Sequence, residues 1–183
     1  MSGSGAAVGR VLVTGGVRCG KSRHAESLLA DLDDVTYVAC GPVPDRTADP
    51  DWAARIDLHR GSRPASWATL ETGDLPGALR STTGPLLVDC LGTWLARLLD
   101  ERALWEAPSD AVTAEVGAAL EAVADALLAR PDVVLVSNEV GWGVVPAHRS
   151  GRLFRDHLGV VNQRLAAVCD RVHLVVAGRV LEL

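Results

Sequence analysis

Long apolar runs are missing from this chain. Of its 183 residues 48% are hydrophobic, yet no run approaches the ~20 residues that a membrane-spanning helix needs. The opening MSGSGAAVGR has neither the apolar stretch nor the cleavage pattern of a secretory leader. Residues 1–8 therefore read as a flexible tail, and the cytoplasm is the expected compartment. Metal-type cysteine spacing is missing as well. Cys19, Cys40, Cys90 and Cys169 are scattered, with no Cys-x-x-Cys and no Cys/His cluster, so free thiols are expected rather than zinc or disulfides. Positive charge is scarce. The formal net charge is −5 and no Lys/Arg run occurs, which argues against nucleic acid as a partner. Lys21 is the sole lysine. There is no internal repeat and no dividing linker, so residues 1–183 are expected to form one domain; a chain of this length buries roughly 70% of its unfolded surface.

What is present is an alternation. Five apolar, β-branched runs, Val11–Thr14, Val35–Cys40, Pro85–Cys90, Val133–Ser137 and Val172–Ala177, suit strands buried on both faces of a parallel sheet. Helical patterns lie between them at Gly20–Asp31, Leu91–Ala103, Ser109–Ala129 and Arg152–Cys169. The order implies a doubly wound α/β sheet. Gly178–Leu183 is expected to fold back as a hairpin edge. Two stretches resist this scheme: Gly41–Arg80, with one expected helix from Pro50 to about Arg60, and Glu139–Ser150, which holds Gly141, Gly143 and Pro146. Loops this long are often functional.

Residues 15–22, GGVRCGKS, satisfy G-x-x-x-x-G-K-[ST] between a strand, VLVT, and an amphipathic helix. In such a P-loop the backbone N–H groups cradle phosphates, and Gly15 and Gly20 permit the tight backbone. Lys21 is expected to reach the β- and γ-phosphates and Ser22 to coordinate Mg²⁺. The plain alternative is a glycine-rich turn that binds nothing. Asp89 ends the run Leu86-Leu87-Val88, where an acidic metal-holding residue belongs; its plain alternative is a helix cap. No Asn-Lys-x-Asp motif occurs, which disfavours a switch GTPase, and no Arg-rich lid of a nucleoside monophosphate kinase is evident. These residues alone imply a nucleoside triphosphate user whose reaction is open.

Four segments together resemble the bifunctional adenosylcobinamide kinase/adenosylcobinamide-phosphate guanylyltransferases of cobalamin biosynthesis. They are VLVTGGVRCGKSRHAE; YVAC followed by RIDLHRGSRPASWATLE; LLVDCLGTWLARLL; and VVLVSNEVGWGVVPAHRSGRLFRDHLGVVNQRLAAVCDRVHLVVAG. The resemblance covers nearly the whole chain apart from the tail and roughly residues 102–130. It implies a RecA-like P-loop fold, a mostly parallel sheet with helices on both faces, and two reactions. A hydroxyl of a corrinoid, adenosylcobinamide, is phosphorylated by ATP or GTP. GMP is then moved from GTP onto that phosphate through a GMP–histidine intermediate, releasing pyrophosphate. A homotrimer is a further implication.

His59 matches the family's guanylylated histidine. An imidazole of pKa ~6.5 is largely neutral and nucleophilic near pH 7, and covalent transfer divides one hard step into two easier ones. A lone histidine on a polar helix would otherwise be an ordinary surface residue. The resemblance also places nucleotide contacts at Gly15, Gly16, Val17, Arg18, Cys19, Gly20, Lys21, Ser22, Val38, Ala39, Cys40, Arg60, Gly61, Ser62, Arg63, Glu71 and Asp89. Arg60 and Arg63 suit phosphate charge; Glu71 suits a base, ribose or metal. Cys19 stands where the family usually has serine, which adds sensitivity to oxidation. Asn138 and Glu139 follow a buried strand, at the edge where open α/β sheets place ligands, with either a substrate-side or a structural role. His24, His148, His157 and His173 show no metal spacing and read as surface or satisfied histidines; Trp142, in a Gly-flanked loop, reads chiefly as packing. Two other functions fit the P-loop: a small-molecule kinase without guanylyl transfer, and a non-enzymatic nucleotide-binding regulator.

Overall fold

A computed structural model describes residues 7–41 and 63–183. Its strands are β1 (Arg10–Gly15), β2 (Thr36–Ala39), β3 (Ala68–Glu71), β4 (Leu86–Asp89), β5 (Val133–Val136), β6 (Arg171–Val176) and β7 (Arg179–Glu182). Its helices are α1 (Lys21–Ser27), α2 (Leu75–Ser81), α3 (Leu91–Glu101), α4 (Ser109–Leu128) and α5 (Arg149–Ala166). All five apolar runs are strands, and the four helical patterns are helices whose ends lie within a few residues of the expected ones. The helix expected from Pro50 to Arg60 lies outside the described residues.

The strands form one sheet in the order β3-β2-β4-β5-β1-β6-β7. Six are parallel, and β7 returns antiparallel on β6, the hairpin edge that Gly178–Leu183 implied. Side chains of the central strands alternate between two cores. Leu12, Leu86, Val88, Val133 and Leu135 face α2, α3, α4 and α5. Val11, Val13, Leu87, Val134 and Val136 face Ala25 and Leu29 of the α1 region. Helices thus cover both faces, and all four residues of β5 are buried. That double burial is why the strands read as unbroken apolar runs rather than alternating ones.

β3 and α2 were not expected. β3 is an edge strand whose residues, ATLE, are mostly exposed, so no apolar run marks it. α2 is short, but its start has a chemical signature: Asp74 accepts a hydrogen bond from the Gly77 amide at 2.9 Å, and Pro76 sits in the first turn. At the other end of the sheet the chain is already tied down at Val8, whose carbonyl accepts from Arg171 at 2.6 Å. No described helix is long and apolar enough to cross a membrane.

Candidate nucleotide-binding site

The parallel strands all end at one edge, and their register fixes what meets there. Glu71 pairs with Ala39, Ala39 with Asp89, and Asp89 with Val136; Val136 in turn pairs with Val13, one residue before Thr14 and two before the phosphate loop. β5 separates β1 from β4. At a strand spacing of ~4.8 Å, the backbone at Asp89 stands roughly 10 Å from the P-loop strand, and that at Glu71 about twice as far.

The loop itself requires glycine at two points. A Cβ at Gly15 would come within 2.4 Å of the Val175 carbonyl and 2.8 Å of Cys19 Sγ. Gly20 has φ +98°, in the region that side chains disfavour. Arg18 holds a left-handed φ of 55°. Lys21 opens α1 and is 9% exposed; its Nζ donates to the Gly16 carbonyl at 3.1 Å, which folds the ammonium over the loop. Ser22 follows it in the first turn of α1, while Val17 projects into solvent, 73% exposed. Behind the loop, the Gly178 amide donates to the Cys19 carbonyl at 2.8 Å, so the β6–β7 hairpin braces the turn.

Asp89 is half-buried at the end of β4. Beside it is the buried Tyr37 hydroxyl, whose pKa is pushed far up by burial together with the Asp89 charge. Tyr37 therefore stays protonated and presents a neutral hydroxyl next to the carboxylate. Arg63 lies over the Tyr37 ring, its guanidinium carbon 3.5 Å from the centroid, and donates to Thr69 Oγ1 at 3.2 Å. Tyr37 thus joins Asp89 and Arg63, two residues singled out in the sequence. In the sequence Tyr37 stood out only as the sole tyrosine and the first residue of YVAC, with no role assigned to it.

Beside the loop lies a second polar group. The Glu139 amide donates to the Gly15 carbonyl at 3.0 Å. Glu139 Oε1 accepts from Thr14 Oγ1 at 2.7 Å and from Asn162 Nδ2 at 3.3 Å. Asn162 Nδ2 also donates to the Asn138 carbonyl at 3.1 Å, and Ser137 Oγ donates to Asn162 Oδ1. Thr14 and Asn162 went unremarked in the sequence, since a hydroxyl before the loop and an amide inside an amphipathic helix carry no local signal.

A family model described as cobinamide kinase / cobinamide phosphate guanyltransferase matches residues 11–183. The chain belongs to this family. It is 41% identical over 177 residues to the bifunctional adenosylcobalamin biosynthesis protein CobU of Salmonella typhimurium, covering 92% of this chain and 96% of that one. It is 40% identical over 175 residues to the bifunctional adenosylcobalamin biosynthesis protein CobP of Pseudomonas aeruginosa, covering 92% and 94%. Among solved structures, a prototypical ATPase from a bacterial type III secretion system superposes with a TM-score of 0.56 at 8% identity, over 92% of this chain and 51% of that chain. At that identity the likeness shows the fold alone, a RecA-like P-loop sheet.

Of the residues expected to serve this family's chemistry, His59, Arg60, Gly61 and Ser62 lie outside the described residues. Gly15 to Ser22 form one turn, with Asp89 and Arg63 joined through Tyr37. Val38 and Cys40 are fully buried, their side chains spent on a core, so only their backbone is available to a ligand. Burial pushes the Cys40 thiol far above its ordinary range, and burial likewise raises Cys90. Neither is a reactive thiolate. Ala39 ends β2 and accepts from the Thr72 amide at 3.1 Å. Glu71 ends the edge strand, on the side of β2 away from the loop.

Among the described residues no group of three or more His, Cys, Asp or Glu could hold a metal on its own. Zinc-type sites are disfavoured there. Mg²⁺ asks less of the protein, one or two hard oxygen ligands beside substrate phosphates and water, and Ser22 with the half-buried Asp89 suits that demand.

Proposed function

We propose that this chain phosphorylates the hydroxyl of adenosylcobinamide with ATP or GTP and then transfers GMP from GTP to the phosphate through a GMP–histidine intermediate on His59. The observation that carries this reading is the family match over residues 11–183, which spans both the phosphate loop and the His59 segment. In the first reaction the loop amides and Lys21 hold the phosphates while the γ-phosphoryl group moves. In the second, His59 attacks the α-phosphorus and pyrophosphate leaves; the corrinoid phosphate then attacks the same phosphorus and frees the histidine. Arg60 and Arg63 offset the charge that accumulates. Ser22 and Asp89 would hold Mg²⁺, which neutralises phosphate charge when bound. The remaining nucleotide contacts fall on Val38, Ala39, Cys40 and Glu71. The same reading has the enzyme acting in the cytoplasm as a homotrimer, as the family resemblance implies.

The test is labelling of the protein itself. Incubated with Mg²⁺ and GTP labelled at the α-phosphate, without acceptor, the chain should take up acid-labile, base-stable label on the peptide containing His59, and none from γ-labelled GTP. His59→Ala should lose the label and guanylyl transfer while retaining kinase activity. Absence of α-label from a protein that binds GTP would remove the covalent mechanism and leave a simple kinase.

A further inference from the structure

Glu139 is a carboxylate held beside the phosphate loop by more contacts than a loop residue needs. Its amide bonds the Gly15 carbonyl. Both side-chain donors that reach it, Thr14 Oγ1 at 2.7 Å and Asn162 Nδ2 at 3.3 Å, converge on Oε1. Oε2 has no hydrogen-bond partner among the described residues, and the side chain is only half-buried. One oxygen is therefore an anchor, and the other keeps its lone pairs free of protein donors among the described residues. Its place is set by the sheet: β5 lies between the strand of the P-loop and the strand of Asp89, so the residue that leaves β5 meets the space between them. Lys21 Nζ is bonded to Gly16, next to the Gly15 carbonyl that holds Glu139. The ammonium that draws the terminal phosphates and this open carboxylate oxygen thus share one support.

Resting on the kinase half of the proposed function, we propose that Glu139 is the proton acceptor for the hydroxyl that receives the γ-phosphoryl group. The hydroxyl oxygen forms a bond to the γ-phosphorus as the bond from that phosphorus to the β,γ-bridging oxygen breaks. The electron pair of the broken bond leaves with the nucleoside diphosphate. The hydroxyl proton passes to Glu139 Oε2 and then to solvent. Asn162 and Thr14 are positioning residues that keep Oε1 turned away from the substrate. A positioned base of this kind is worth roughly 10²–10⁴-fold in rate.

The test uses the full chain with adenosylcobinamide, ATP and GTP. Glu139→Gln keeps an oxygen for Thr14 and Asn162 but removes the basic lone pair. Its kcat for phosphorylation should fall at least a hundredfold more than its self-labelling by α-labelled GTP does. The acid limb of the wild-type kcat–pH profile should vanish in Glu139→Gln. Formate should restore part of the kinase rate to Glu139→Ala. A Gln variant that phosphorylates within threefold of wild type overturns the proposal, as does an equal loss of both activities, which would make Glu139 a brace for the loop. If the Gln variant does not fold, Glu139→Asp decides, since a shortened base must slow phosphorylation at least tenfold more than labelling. Wild-type protein that takes up label but phosphorylates no corrinoid overturns the kinase reading itself, a result distinct from any effect of Glu139.

Discussion

At the scale of single residues, the sole lysine concentrates risk. Lys21 is nearly buried, and its Nζ bonds the Gly16 carbonyl, so its charge is committed to the mouth of the loop. Both proposed reactions need phosphates held there. Lys21→Ala should therefore lower kcat/KM for phosphorylation and for guanylyl transfer together, each by roughly 10²–10³-fold, the usual cost of removing one charge-stabilising donor. Steady-state assays of the two half-reactions check this, and a full kinase rate in the variant would dissociate Lys21 from phosphate binding. Tyr37 is the opposite kind of residue. It was assigned no ligand, yet its buried hydroxyl lies beside Asp89 and it carries Arg63 on its ring. Its part is visible only once β2 and β4 are paired.

At the scale of elements, α2 shows what a short helix owes to its cap. The helix has seven residues, too few to persist on local hydrogen bonds alone. It is held by Leu75, Ala78 and Leu79 in the core and by the Asp74 carboxylate on the Gly77 amide. Asp74→Ala should cost about 1 kcal/mol, which for a domain of this size lowers Tm by roughly 2–4 °C. Both activities should be unchanged at 25 °C; thermal unfolding followed by circular dichroism is the measurement. The same element marks the limit of reading a sequence. Apolar, β-branched runs announce themselves by composition, which is why β1, β2, β4, β5 and even the partly exposed β6 were all legible. An exposed edge strand and a two-turn helix do not, because their stability comes from neighbours rather than from their own pattern. The candidate site divides along the same line. The loop from Gly15 to Ser22 and Asp89 were legible because backbone chemistry ties them to fixed spacings and strand ends. Thr14, Tyr37 and Asn162 were not, since their partners are 125, 52 and 23 residues away in sequence.

At the scale of the whole molecule, the P-loop is braced from behind by a contact that protons can disturb. His24 in α1 and His173 in β6 face each other, Nε2 to Nδ1, at 2.9 Å. One nitrogen must donate and the other accept, so the two imidazoles cannot both be charged there. Burial lowers the pKa of each, helped at His24 by His173 and at His173 by Arg171. Glu182, 3.6 Å from His173 Nε2, opposes the shift without reversing it. Because the folded pKa values lie below the unfolded value of ~6.5, the unfolded chain binds protons first as pH falls. The stability this pair contributes is complete above pH ~6.5 and is lost as pH drops through the depressed folded values. Between pH 7.5 and 5.5 the wild-type Tm should fall further than that of His24→Gln. The amide in that variant can still bond His173 but cannot take up a proton. Nucleotide affinity should weaken over the same interval, because α1 begins at Lys21 and the hairpin after β6 holds Cys19 through Gly178. Equal acid slopes for the two proteins, by calorimetry and by GTP titration, would show that the histidine pair does not govern the loop's support.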